Sequence, residues 1–326
     1  MQMNIYTSII HHIQHPVRWV QERKMDTMKK FFAMALAAVM LLAMLTACGG
    51  NTANNTTGNN AGNTAGNTGT NSTGDDAADT GDTSAYGDFA SSLVEEGKLI
   101  MATNAQFPPY EMVADGEGFN GTGFEGIDVE IASAIAEKLG LELVIEDMEF
   151  TSALLAVQNN SADVVLAGLS YREDRDEVMD FTDSYATGIQ VVIVPEGSDI
   201  TDLDGLNGKL IGCQAGTTGY TLASDTPENG GYGEENVRAY DSGATAVQAL
   251  LNGQIDAVII DNAPAQEFVN ANEGLTILES PWLEENYCAA VDEGNAALLE
   301  AVNTAINELI DDGTVQSIID KYITAE

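Results

Sequence analysis

An α/β fold in two units is what this sequence predicts, on three observations. From about Asp88 to Glu326, short β-rich runs alternate with runs of helical periodicity, the pattern of parallel strands covered by helices. A helix–turn–strand unit occurs twice. About 240 residues patterned in this way fill one large domain or two small ones.

The chain reaches that region through three segments of different character. Residues 1–27 fit no signal peptide and read as an extension upstream of a better start at Met28. Residues 28–47 read as a secretory signal: Met28-Lys29-Lys30 leads into an apolar run from Phe31 to Ala47. Leu45-Thr46-Ala47-Cys48 resembles the bacterial lipobox, in which the Cys is lipidated and becomes the mature N-terminus. A short transmembrane anchor is the alternative for the same run. Residues 48–87 then comprise the lipidated Cys48 and a linker. Asn51 to Asp82 is almost wholly Asn, Thr, Gly, Ala, Ser and Asp, which cannot bury apolar surface and predicts a disordered tether. Its reach is about 30 Å.

Strand and helix alternate from there. The pairs are Leu99–Thr103 with Ile127–Leu139, Leu141–Glu146 with Ser152–Asn159, and Val164–Ala167 with Arg172–Met179. They continue as Lys209–Cys213 with Thr217–Ala223, Val237–Tyr240 with Ala244–Asn252, and Ile255–Ile260 with Ala263–Ala271. The doubled unit is Ala153–Val157, Asn159-Asn160, Asp163–Leu166 and again Ala246–Leu250, Asn252-Gly253, Asp256–Ile259. Simple βα repetition in one sheet would also give it. The doubling sets Ala167-Gly168 level with Ile260-Asp261, each at a strand end. Ligands of open α/β sheets bind beyond the carboxyl ends of strands, so two such ends face a cleft.

Charge and composition exclude several functions. Twelve basic residues stand against 51 acidic ones, a net charge of −39. Nucleic acid is therefore a poor partner. The three histidines, His11, His12 and His15, precede the expected cleavage point. The mature chain then lacks the usual neutral-pH base and the commonest metal ligand. No metal or cofactor motif is found, and no nucleotide glycine loop. Cys213 and Cys288 sit in apolar runs and read as buried inert thiols, with a disulfide as the alternative.

Cations are scarce after Cys48: Lys98, Lys138, Arg172, Arg175, Lys209, Arg238 and Lys321. Arg175, a short step beyond Gly168, offers a planar fork matched to a carboxylate. A surface pair with Asp174 or Glu173 is its other reading. Arg172 reads as solvated. Asp261, at a strand end, suits an ammonium group or caps the next helix, or does both. Gln214-Ala215-Gly216-Thr217-Thr218 joins strand to helix, where backbone N–H groups favour anions and either Thr can cap. Phe107-Pro108-Pro109-Tyr110 holds an aromatic on a proline-stiffened loop, and Phe150 is a second loop aromatic.

Together these positions resemble the bacterial extracellular solute-binding proteins of family 3, the polar amino acid receptors of ABC importers. The resemblance rests on Gly126-Ile127-Asp128-Val129-Glu130-Ile131 followed by Ile135-Ala136 and Leu139. It is extended by Phe107–Tyr110, Ala167–Ser170 with Arg175, Asp180–Tyr185, Gly216–Thr218 and Asp256–Asp261. It implies a two-lobed periplasmic-binding-protein-like (type II) fold with an interdomain ligand cleft. Lobe 1 is expected at 88–188 plus 285–326 and lobe 2 at 189–284. Two strands cross between them, the second near Tyr287–Val291, and helices Ala296–Ile310 and Thr314–Tyr322 return to lobe 1.

The resemblance also implies roles. Arg175 clamps a ligand α-carboxylate, aided by Ser170, Thr217 and Thr218. Asp261 and the carbonyls around Ala167 and Gly168 take the α-ammonium. Phe107 and Phe150 sandwich the side chain, and Asn104, Gln214 and Ile260 face its variable end. Relatives that take cationic or amide side chains often carry Asp where Asn104 stands, so a neutral amino acid is expected. The expected function is an extracytoplasmic lipoprotein, lipid-anchored to the cell membrane and monomeric. It binds an amino acid without chemistry and delivers it to the transmembrane subunits of an ABC permease. The alternatives are a dehydratase-like enzyme on the same scaffold and a ligand-sensing receptor domain.

Overall fold

A computed structural model describes residues 86–278 and 281–323. The expected signal segment, the lipidation site Cys48 and the tether lie outside the described residues. Two three-stranded parallel groups flank a central antiparallel pair. The first group is β1 (Lys98–Thr103), β5 (Glu142–Asp147) and β6 (Val164–Val165). The second is β8 (Ile211–Gln214), β9 (Val237–Tyr240) and β10 (Ala257–Asp261). Between them run β7 (Met179–Pro195) and β12 (Leu283–Asp292), giving the order β5-β1-β6-β12-β7-β10-β8-β9. β12 is antiparallel to β6 and β7, and β7 is antiparallel to β10. The two long strands link both halves of a two-lobed α/β fold. β11 (Leu275–Ile277) pairs with β7, and β2 (Gln106–Phe107), β3 (Glu111–Val113) and β4 (Phe124–Glu125) form a small separate sheet.

Helix α1 (Ile127–Leu139) buries Ile127, Ile131, Ile135 and Leu139, one residue per turn along one face. Asp128 and Glu130 occupy its first turn, where negative charge suits the helix dipole, and Gly140 ends it in the left-handed conformation. Gly126, at φ +132°, starts it. A Cβ there would lie 2.2 Å from the Tyr110 carbonyl oxygen, so only glycine lets helix and loop meet. The other helices are α2 (Phe150–Gln158), α3 (Thr218–Ser224), α4 (Gly243–Leu251), α5 (Asn262–Ala271), α6 (Ala296–Asp311) and α7 (Thr314–Tyr322). α6 and α7 pack against α1, where Lys138 meets Glu308 at 3.0 Å and the Tyr322 hydroxyl donates to Glu130 at 2.6 Å.

Three expectations need correction. Arg172–Met179 is not a helix but a run of turns leading into β7. Four acidic residues crowd it, and the Arg175 side chain turns inward instead of lying along a helix face. Phe150 is not on a loop; it opens α2. β6 is shorter than the expected Val164–Ala167, because the chain turns at Gly168, at φ +53°.

Candidate functional site

The strand ends that the doubled unit set level line one cavity. Ala167, Gly168 and Ser170 follow β6; Ile260 and Asp261 close β10; Gln214 ends β8, with Thr217 and Thr218 at the start of α3. Asn104, Phe107, Phe150 and Arg175 complete the expected set, so every residue singled out in the sequence reaches this space. Its volume is about 30 Å³, room for only about two waters. An amino acid enters only if the walls part.

Arg175 is 6% exposed and, among the described residues, the only cation on the cavity wall. Nη1 donates to the Ser170 carbonyl at 2.7 Å and Nη2 to the Gly216 carbonyl at 2.9 Å. Two neutral acceptors fix the fork without neutralising it, and the other N–H groups stay open to an anion. The guanidinium lies 5.4 Å from the Phe150 ring centroid. Burial lowers its pKa to about 10, with the nearby Arg172 adding to the shift. The surface pair with Asp174 therefore belongs to another residue. Arg172, read as solvated, pairs with Asp174 at 2.6 Å with its side chain 17% exposed. It also donates to the Thr217 carbonyl at 3.3 Å and Thr221 Oγ1 at 2.9 Å. An extended side chain reaching the start of α3 gains those bonds while its stem stays covered.

Asp261 lines the same cavity. It occupies the N-cap position of α5 but makes no side-chain cap bond, contrary to one of its expected roles. Its oxygens are taken elsewhere: Oδ1 accepts from the Tyr287 hydroxyl and Oδ2 from Gln190 Nε2 at 2.9 Å. Burial first, then the Glu285 carboxyl, raise its pKa to about 7. Thr217, not Thr218, caps α3, accepting from the Tyr220 N–H at 3.2 Å. That leaves Thr218 Oγ1 buried without a partner, the kind of group a ligand satisfies.

At another part of the wall, Gln214 Nε2 donates to Asn104 Oδ1 at 2.9 Å and to the Asp241 carbonyl at 3.2 Å. Asn104 Nδ2 donates to the Met148 carbonyl at 2.8 Å. Gln214 has spent both N–H donors, whereas Asn104 keeps a second N–H and its Oδ1 already accepts from Gln214. Gly168 holds Phe107 against the wall: a Cβ on it would sit 2.5 Å from the Phe107 ring. The Gly168 N–H donates to Asp128 Oδ2 at 2.8 Å, and Tyr185 bonds the same carboxylate. Burial raises Asp128 to about 6.

Sequence reasoning missed Glu111, Gln190 and Ile259 on the wall, with Glu285 and Tyr287 behind it. Gln190 carried a signal, a lone amide in the apolar run Ile189–Val194. Glu111 directly follows Tyr110, and burial and the Asp128 carboxylate push its pKa well up.

Residues 99–325 match the bacterial extracellular solute-binding proteins, family 3. The chain belongs to this family. Among family 3 relatives, it is 32% identical over 232 residues to the arginine-binding extracellular protein ArtP of Bacillus subtilis, covering 70% of this chain and 87% of ArtP. It is 30% identical over 236 residues to the L-cystine-binding protein TcyJ of Escherichia coli K12, covering 71% and 85%. A solved structure of an ancestral arginine-binding protein bound to glutamine aligns with TM-score 0.64 at 35% identity, covering 71% of this chain and all of that one. Such family 3 proteins bind amino acids and work with ABC transporters, and family membership indicates an extracytoplasmic location.

Proposed function

We propose that this chain is the lipid-anchored receptor of an amino acid importer. The signal and lipobox sequence of residues 28–48 supports the anchor. Lobe 1 comprises 88–188 with 285–326 and lobe 2 comprises 189–284, hinged on β7 and β12. The ligand is a free amino acid, carried without chemistry to the permease subunits; the receptor acts as a monomer.

The observation that carries this reading is Arg175: a buried cation held by two carbonyls, lining one cavity with Asp261. A zwitterion supplies the two charges this pair lacks. Its carboxylate takes the open N–H groups of Arg175 and the unpartnered Thr218 hydroxyl, with Ser170 and Thr217 alongside. Its ammonium takes Asp261 and the carbonyls around Ala167 and Gly168. Phe107, Phe150 and Ile260 contact the side chain. Asn104 and Gln214 present uncharged N–H and C=O groups, which suit a neutral side chain.

Closure follows from contacts better made with the lobes together. A thermal-shift panel of the twenty L-amino acids tests the function. Stabilisation of about 4 kcal/mol is expected at a thousandfold excess over Kd. No shift with any of them contradicts the proposal.

A further inference from the structure

Two buried carboxyl groups meet at the junction of the crossing strands with β10, and no ion pair among the described residues reaches either. Asp261 is 8% exposed and Glu285 6%. Gln190 bridges them, one Nε2 donating to Asp261 Oδ2 at 2.9 Å and to Glu285 Oε2 at 2.5 Å. The Tyr287 hydroxyl donates to Asp261 Oδ1. Glu285 Oε1 finds no donor, and the single Gln190 Nε2 that bonds both side chains holds their carboxyls side by side. Adjacent buried like charges are costly, so the low-energy state keeps a proton on Asp261, where Glu285 Oε1 can accept it.

The groups that face this pair from each neighbouring element are few. Tyr287 comes from β12, Tyr110 from the turn after β2, Glu111 from β3 and Arg175 from the turns before β7. Among the described residues Arg175 is the one cation, and its fork is fixed on the Ser170 and Gly216 carbonyls. The remaining groups are neutral or acidic. Gly188 on β7 leaves the room this cluster needs: a Cβ there would lie 2.2 Å from the Tyr287 hydroxyl and 2.9 Å from Asp261 Oδ1.

We propose that Asp261 holds a proton against Glu285 in the ligand-free protein and exchanges it for the ammonium group of the incoming ligand. The proposal rests on the amino acid reading above. In the exchange no covalent bond in the ligand changes. The Asp261 carboxyl O–H gives its proton to solvent buffer, and ammonium N–H donors take its place, leaving the Asp261 carboxylate against one cation. Asp261 touches the ligand. Glu285 is a positioning residue that acts through it, by raising the affinity of Asp261 for a proton. The raised pKa of Asp261, about 7, sets the window. Above it the site is already deprotonated and binding releases nothing. Below it each binding event expels a proton, so apparent affinity falls by up to about tenfold per pH unit.

The full mature chain is titrated with L-glutamine and L-arginine by calorimetry between pH 5.5 and 8.5, in two buffers of different ionisation enthalpy. Release approaching one proton is expected near pH 6, falling toward zero at pH 8.5, with Kd weakening as pH drops. Glu285→Gln is expected to flatten both profiles, and the wild-type proton count needs no variant. Binding with the same Kd and no proton release across the range overturns this inference alone. Absence of binding by either probe and by every other L-amino acid at pH 8 overturns the function and this inference together.

Discussion

Arg172 Nη1 lies 2.9 Å from Thr221 Oγ1 and 3.3 Å from the Thr217 carbonyl, so a side chain from the turns before β7 is tied to the first turn of α3. The two partners fall on opposite sides of the proposed lobe boundary. The bonds therefore exist only when the lobes are together. Asp174 holds the guanidinium in place from its own side.

Arg172→Ala is expected to shift the liganded receptor toward the open form and to weaken binding about threefold to tenfold, the scale of roughly 0.5–1.5 kcal/mol for partly exposed hydrogen bonds. Small-angle scattering of the ligand-saturated variant should show a more expanded average. Unchanged affinity and an unchanged closed fraction would remove Arg172 from the closure.

Gly168→Ala should damage both stability and binding. The residue sits at φ +53°, and a Cβ would strike the Phe107 ring at 2.5 Å. Strain and displacement of the ring are expected to cost about 1–3 kcal/mol. That corresponds to a Tm lower by roughly 3–10 °C in a domain of this size. A thermal melt at wild-type temperature would show that the wall yields without cost.

The ligand-free protein should grow more stable as pH falls from 8 to 5. Asp128 and Asp261 have folded pKa values raised to about 6 and 7, chiefly by burial, and Glu111 is raised too. Their unfolded values are near 4. Between those limits the folded state binds more protons than the unfolded chain. Their stabilising contribution is thus full at low pH and is lost as pH rises through 6 to 7, at up to about 1.4 kcal/mol per unit per proton. Lowered groups such as Asp174, Asp183 and Asp199 oppose this only near and below about pH 4. A melting temperature highest at pH 8 would contradict the assignment of these buried acids.

The local patterns were the legible part of the fold. The apolar stripe of α1 and the run Thr314–Tyr322 gave helix bounds that the structure repeats. Arg172–Met179 misled because its charges are spaced as on a solvated helix, while the chain instead turns to drive Arg175 inward. The residues brought to the cavity were readable where they sit at strand ends and helix starts, since backbone geometry alone places them. Glu285 and Tyr287 were not, and Gln190 showed only as a lone amide in an apolar run. They lie mid-strand on β7 and β12, and what they touch depends on a pairing of segments about a hundred residues apart. That pairing leaves no trace in local periodicity.

The most direct test of the central claim is calorimetric titration of Arg175→Ala with the amino acid that stabilises the wild-type protein most. The variant's melting transition is recorded alongside to show that it is folded. Loss of the buried cation should weaken binding about a hundredfold or more, from the 2–5 kcal/mol lost when one member of a buried charged pair is removed. Binding by the folded variant within a few-fold of wild type would contradict the account.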